Sequence, residues 1–141
     1  MTQEQKDLLL KDLCARLPYG VKAYVKHWAK LDWKYYEGVF TVKSVHTSLN
    51  DIIYASSEKY GVEVILGHTD YVIKPYLFPL SHIYDSEELQ KEFDCLIELE
   101  LKAISDEITP TQATEFEVDF YNKHHIDWRG LIPMGLAIDA T

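Results

Sequence analysis

Between residues 21 and 73 the chain carries short runs of β-branched and aromatic residues, separated by polar or glycine-containing intervals of turn length. Gly38-Val39-Phe40-Thr41-Val42-Lys43-Ser44-Val45 is the strongest run; Ile52-Ile53-Tyr54-Ala55, Val62-Glu63-Val64-Ile65-Leu66 and Tyr71-Val72-Ile73 follow it. Such residues suit a pleated, half-buried surface. The intervals are too short for crossover helices, so neighbouring runs are expected to pair antiparallel. Residues 21–31 fit two periods. Val21, Tyr24, Val25 and Trp28 recur at helical spacing, with lysines at 22, 26, 30 and 34. The same stretch also alternates, placing Lys22, Tyr24, Lys26, Trp28 and Lys30 opposite Val21, Ala23, Val25, Ala29 and Leu31. Its residue types and the preceding Pro18-Tyr19-Gly20 break favour a strand.

Helices flank this region. Thr2-Gln3-Glu4-Gln5 fits a capping box. Leu9, Leu10, Leu13, Cys14 and Leu17 behind it form one apolar stripe, ended by Pro18 and Gly20, which predicts a helix over about 3–17. Pro75 and Pro79 close the β region. Asp85-Ser86-Glu87-Glu88 is an acidic helix start, favourable beside the helix dipole. Leu89, Phe93, Leu96, Ile97, Leu101 and Ile104 then line one face of a helix over about 86–105. Thr109-Pro110-Thr111-Gln112 signals a third helix, with Ala113, Phe116, Phe120 and Tyr121 inward, although Phe116, Val118 and Phe120 also alternate as a strand would. The apolar tail 131–138 is expected to pack on the core. The expected fold is α+β: one domain over 1–141, an antiparallel sheet of four to five strands over about 20–74, an N-terminal helix and two C-terminal helices.

The 141 residues are 47% hydrophobic, enough for one real core. Net charge is −9, and residues 85–119 alone hold 12 acids against Lys91 and Lys102, a balance of −10. Negative charge so concentrated repels nucleic-acid phosphate and favours partners with a basic surface. It also suits a solvated helix face that keeps a protein soluble. Two cysteines far apart, a polar N-terminus and no apolar run near the ~18 residues of a membrane span lead to the expectation of a cytoplasmic protein.

Chemistry-bearing motifs are sparse. Gly61-Val62-Glu63-Val64-Ile65-Leu66-Gly67-His68-Thr69 has five residues between its glycines and His68 where a phosphate-binding loop needs lysine, and the interval reads as a strand. His124-His125-Ile126-Asp127 offers metal-ligand types, but adjacent side chains diverge and the i, i+4 histidine spacing is missing. His27, His46, His68 and His82 show no ligand spacing. No nucleophile–base grouping is legible, and Cys14 and Cys95 fall on or near apolar stripes, where thiols are usually inert. No catalytic residue, metal site or cofactor is therefore assigned. Asp127-Trp128-Arg129-Gly130 reads as a structural latch, with Gly130 turning left-handed and Arg129 clamping the acidic helix.

Three segments carry a resemblance: Lys11-Asp12-Leu13-Cys14-Ala15-Arg16-Leu17-Pro18-Tyr19-Gly20-Val21, Ile73-Lys74-Pro75-Tyr76-Leu77-Phe78-Pro79-Leu80-Ser81, and the stretch from Asp127-Trp128-Arg129-Gly130 to Ala140-Thr141. They resemble small proteins of Bacteroides-type gut bacteria and of their phages and prophages. The likeness covers both ends and the proline-rich hinge; residues 30–70 and 85–120 do not contribute to it. That group carries no reaction or site residue to transfer. The resemblance implies a context, a phage or mobile-element accessory protein in the bacterial cytoplasm.

The leading expectation is a non-enzymatic protein that binds a host or phage protein, as an inhibitor for example, through an acidic helical face carrying Glu87, Glu88, Glu92 and Glu98. The alternative is a single-stranded nucleic-acid platform built from Lys22, Tyr24, Lys26, Trp28 and Lys30, where cations meet phosphate and rings stack on bases; the net charge opposes it. A third is a metal-dependent enzyme using sheet histidines with His124 or His125. The aromatic group Trp28, Trp33, Tyr35 and Tyr36 equally suits a contact between two copies of the chain.

Overall fold

The computed structural model describes residues 2–29, 33–46, 52–66, 71–105 and 110–141, leaving out the side chains of 29, 100, 103, 104 and 110–114. Helix α1, Gln3–Arg16, opens on Thr2, whose Oγ1 accepts the Gln5 N–H while Gln5 Oε1 accepts the Thr2 N–H. A short 3₁₀ turn, Leu17–Tyr19, ends at Gly20 and leads into the sheet. The strands are β1 Lys22–Ala29, β2 Lys34–His46, β3 Ile52–Ser57, β4 Val62–Leu66 and β5 Tyr71–Leu77. After a 3₁₀ turn, Leu80–Asp85, come α2, Glu87–Ile104, and α3, Pro110–Lys123; β6, Ile138–Asp139, closes the chain.

The sheet runs β4-β3-β2-β1-β5-β6, and the first five strands are antiparallel throughout. The expectation of a purely antiparallel sheet is corrected by β6, which pairs parallel with Tyr76 and Leu77 of β5. The apolar tail does pack on the core, and its last residues find the free edge of β5. That strand also runs through Pro75 to Leu77, beyond the expected stop at the proline, since a proline is tolerated where no ladder partner needs its N–H. The two ambiguous segments resolve as strand at 22–29 and helix at 110–123. The Thr109 cap lies outside the described residues.

Alternation fixes which face is covered. Val21, Ala23, Val25, Phe40, Val42, Ile53, Ala55, Val64, Leu66, Ile73 and Leu77 are buried with Leu9, Leu10 and Leu13 of α1. Each of the Val, Leu, Ile and Phe side chains contributes about 1.5–3 kcal/mol when fully buried. A bulge sets Lys43 and Ser44 against Tyr54, after which Val45 opposite Ile53 returns to the covered face. A smaller cluster, Ile83, Phe120 and Ile126 with Phe78, Leu89, Phe93 and Leu96 packed on it, joins the α2–α3 hairpin to the rest.

Cys14 and Cys95 are exposed, which corrects their placement on buried stripes. On α1 the inward positions go instead to Asp12 and Arg16, both fully buried. Arg16 donates from Nε and Nη2 to the two oxygens of Asp12, at 2.9 and 3.1 Å. It also donates to the carbonyls of Ile126, at 2.7 Å, and Tyr121, at 3.3 Å. One fully paired ion pair thus ties α1 to the end of α3.

Candidate functional site

Acidic side chains gather on the α2–α3 hairpin. Glu87, Glu88, Glu92, Asp94 and Glu98 of α2 and Glu115 and Asp119 of α3 are all exposed, and none of the described α2 residues is fully buried. The amphipathic pattern of α2 is only partly used. Leu89, Phe93 and Leu96 pack on the second cluster, whereas Ile97 is 42% and Leu101 59% exposed. These two lie one turn apart, each with a carboxylate three positions earlier, Asp94 and Glu98, which puts acids alongside the apolar ridge. Phe116 of α3 is also exposed.

The four sequence-predicted glutamates do not share one role. Glu87, Glu88 and Glu98 face solvent. Glu92 is engaged inside the hairpin, its Oε2 lying 2.8 Å from His124 Nε2 and 3.8 Å from Lys123 Nζ. His124 also packs its ring on Phe120, so this histidine fastens the two helices together. In the sequence Ile97 and Leu101 fit the same apolar face as Leu89, Phe93 and Leu96, so spacing alone does not set the ridge apart.

The outer sheet face forms a second surface. Lys22, Tyr24, Lys26 and Trp28 alternate with the buried residues of β1 and share the uncovered side; Lys30 lies outside the described residues. Across the strand pair Trp28 meets Tyr35, with ring centroids 6.4 Å apart, and Lys26 meets Glu37 at 3.8 Å. Glu37 accepts hydrogen bonds from the hydroxyls of Tyr24 and Tyr35. Hydrogen bonding from Tyr24, then from Tyr35, holds the Glu37 carboxyl below the usual carboxylate range, while that same bond pushes the Tyr24 hydroxyl up to about 12. Glu37 therefore stays charged and places an anion in the middle of the expected basic strip. Sequence reading had no signal for this; the contact exists only because β1 and β2 pair in this register. Of the proposed aromatic group, Trp28, Trp33 and Tyr35 are exposed, but Tyr36 is buried on the other face beside His27.

No family model, curated protein or solved structure matches this chain. What the surfaces can do rests on their own chemistry.

The C-terminal segment is the latch that its sequence suggested, with a different anchor. Arg129 Nε approaches Asp12 Oδ1 of α1 at 3.2 Å, outside hydrogen-bond alignment, and its guanidinium stacks on Trp128 at 4.1 Å. The clamp on the acidic helix is corrected to a clamp on α1, since the carboxylate beside Arg129 is Asp12, while Asp127 is taken up by the Leu131 and Ile132 N–H groups. Asp127 accepts the N–H groups of Leu131 and Ile132 at 2.7 and 2.8 Å, and Gly130 takes the left-handed φ of +78° that the turn needs. These side chains are engaged in holding the chain.

Of the histidines, His68 lies outside the described residues. Among the described residues, no group of three His, Cys, Asp or Glu side chains could hold a metal ion. His27 is buried on the inner sheet face with Nδ1 unpartnered, and burial pushes its pKa below the usual value. His125 takes a left-handed φ of +55° just after α3; burial first, and then nearby Arg16, lower its pKa. No described helix is long and apolar enough to cross a membrane.

Proposed function

We propose that this is a non-enzymatic interaction protein that docks a partner on the α2–α3 hairpin. The single observation carrying this reading is the exposed Ile97–Leu101 ridge bordered by Asp94 and Glu98. An apolar centre within a charged border is the composition of a protein interface, and it is costly to leave in water without use. The acidic border favours a partner with an apolar patch or helix face surrounded by Lys or Arg. In the context implied by the resemblance, that partner is a host or phage protein in the bacterial cytoplasm, and occupying its basic surface would inhibit it.

The test is affinity capture from host lysate with three baits: the protein, a Glu87→Lys/Glu88→Lys/Glu98→Lys variant and an Ile97→Asp/Leu101→Asp variant. Retention of a protein with a basic surface by the first bait alone is the expected result. No retained protein, or equal retention by all three, contradicts the reading.

A second reading has one observation in its favour: Lys22, Tyr24, Lys26 and Trp28 do share an open sheet face. Single-stranded nucleic acid would stack on Trp28 and lose affinity steeply with salt. Glu37 works against it by pairing Lys26 and occupying the Tyr24 hydroxyl. A gel shift at low salt that Trp28→Ala abolishes would favour this reading; no shift would remove it.

A further inference from the structure

The hairpin and the sheet carry surfaces that match each other and do not meet within one molecule. On the outer side of the neighbouring strands β5, β1 and β2, Lys74, Tyr24 and Val39 form one cross-strand row, and Val72, Lys26 and Glu37 form the next. Trp28, Val39 and Val72 are between 40% and 51% exposed, and Tyr35 lies beside Trp28. Large apolar side chains gathered on an open sheet face mark a contact surface. Lys26 is matched by Glu37, while Lys22 and Lys74 flank Tyr24 on the same face. An apolar patch bordered by lysines is the surface that suits the acidic ridge of α2.

The charge of the chain is divided in the same way. Residues 1–84 hold 10 bases and 9 acids, a balance of +1, against −10 over residues 85–119. The part that bears the sheet is therefore not acidic, although the whole chain is at −9. At physiological salt, charges further apart than about 8 Å are largely screened, so the local match decides the contact.

We infer, resting on the hairpin reading above, that the α2 ridge of one copy docks on the outer sheet face of a second copy. Ile97 and Leu101 seat against Trp28, Val39 and Val72, with Asp94 and Glu98 beside Lys22 and Lys74. Ile97 and Leu101 lie about 6 Å apart along the helix. Val39 and Val72 are two strand spacings apart, about 10 Å, so a helix crossing the strands reaches both. The contact joins two different faces and is head-to-tail, leaving one ridge and one sheet face open in each pair for further copies. A second copy and an outside partner then compete for the same ridge.

The experiment is sedimentation equilibrium of the full chain over rising concentration, with two variants. Lys22→Glu/Val72→Glu disables the sheet face and Glu98→Lys/Leu101→Asp the ridge. All four residues are exposed, and unchanged melting curves check that both variants fold. Should either fail to fold, Lys22→Glu/Lys74→Glu replaces the first and Asp94→Lys/Glu98→Lys the second. The average mass of the parent chain should rise at least about 1.5-fold above the monomer by about 1 mM, the Kd scale of a weak contact. Each variant alone should stay monomeric. An equimolar mixture of the two should form a two-chain complex that grows no further, because each supplies the face the other lacks. A monomeric parent chain overturns the inference and leaves the lysate capture by the hairpin standing, so the two fail separately. Association that persists in the ridge variant means sheet face on sheet face, and association that persists in the sheet variant means ridge on ridge. Either overturns the inference, as does a mixture that stays monomeric.

Discussion

Asp12 is a fully buried carboxylate set between two arginines. It pairs with Arg16 through two hydrogen bonds and lies against Arg129, both oxygens used inside the protein. Asp12→Ala would leave the fully buried Arg16 guanidinium without its counter-charge, and breaking such a pair costs roughly 3–5 kcal/mol. A chain of this size should then melt lower by about 10 °C or more in a thermal scan. Asp127→Ala should cost about 2 kcal/mol by leaving the N–H groups of Leu131 and Ile132 unmet, read as a lower urea midpoint. His27 and His125 give a pH dependence of definite sign. Burial lowers both pKa values in the folded state, so the unfolded chain takes up protons first. Their contribution is complete above the ordinary histidine pKa and is lost as pH falls below it, by at most about 1.4 kcal/mol per pH unit for each group. Denaturation midpoints should fall between pH 7 and pH 5.5, and His27→Phe should flatten the slope; an unchanged slope would show that His27 does not contribute.

Among the elements, the contrast between sheet and hairpin is the physical feature with most consequence. β1 and β2 lie at the middle of the sheet and feed the main cluster, whereas no described α2 residue is fully buried. Local opening follows buried apolar contact. Amide exchange should therefore be faster in α2 than in β1 and β2, and equal protection in both would contradict this energetic division. The same contrast explains what could be read from the sequence. Strands showed through residues 21–73 because alternation and short intervals leave few other pairings, and helix α1 showed through its cap and leucines. β6 did not: two residues hold no period, and only the free edge of β5 gives them a partner. The hairpin's acids were legible as a charge run. That Ile97 and Leu101 lie outside the core was not, since periodicity names a helix's apolar face without saying whether anything covers all of it. Arg16 and Asp12 were equally silent, because buried ion pairs look like surface i, i+4 pairs in a sequence. Glu37 was invisible for a different reason, its partners being chosen by cross-strand register.

Taken as a whole, the molecule separates holding from reaching. α1, the latch at Asp127 and Arg129, and the sheet core form a tightly paired body, and Glu92 with His124 fastens the base of the hairpin to itself. Glu87, Glu88, Asp94, Glu98, Glu115 and Asp119 of the hairpin face outwards with the Ile97–Leu101 ridge, and so do Lys22, Lys26, Trp28 and Tyr35 on the sheet's open side. Since the local acid excess is −10 over residues 85–119, encounter with a basic partner should be salt-sensitive, slowing several-fold between low and physiological ionic strength. A partner seated on the ridge would also bury Leu101, so site-specific photo-crosslinking from that position detects it directly. With a photoreactive amino acid at position 101, and a control at the exposed Ile65 of edge strand β4, the protein is irradiated in its native cells. The expected result is a discrete adduct with a protein of basic surface at 101 and none at 65. No adduct at 101, or the same adduct at both positions, would contradict it.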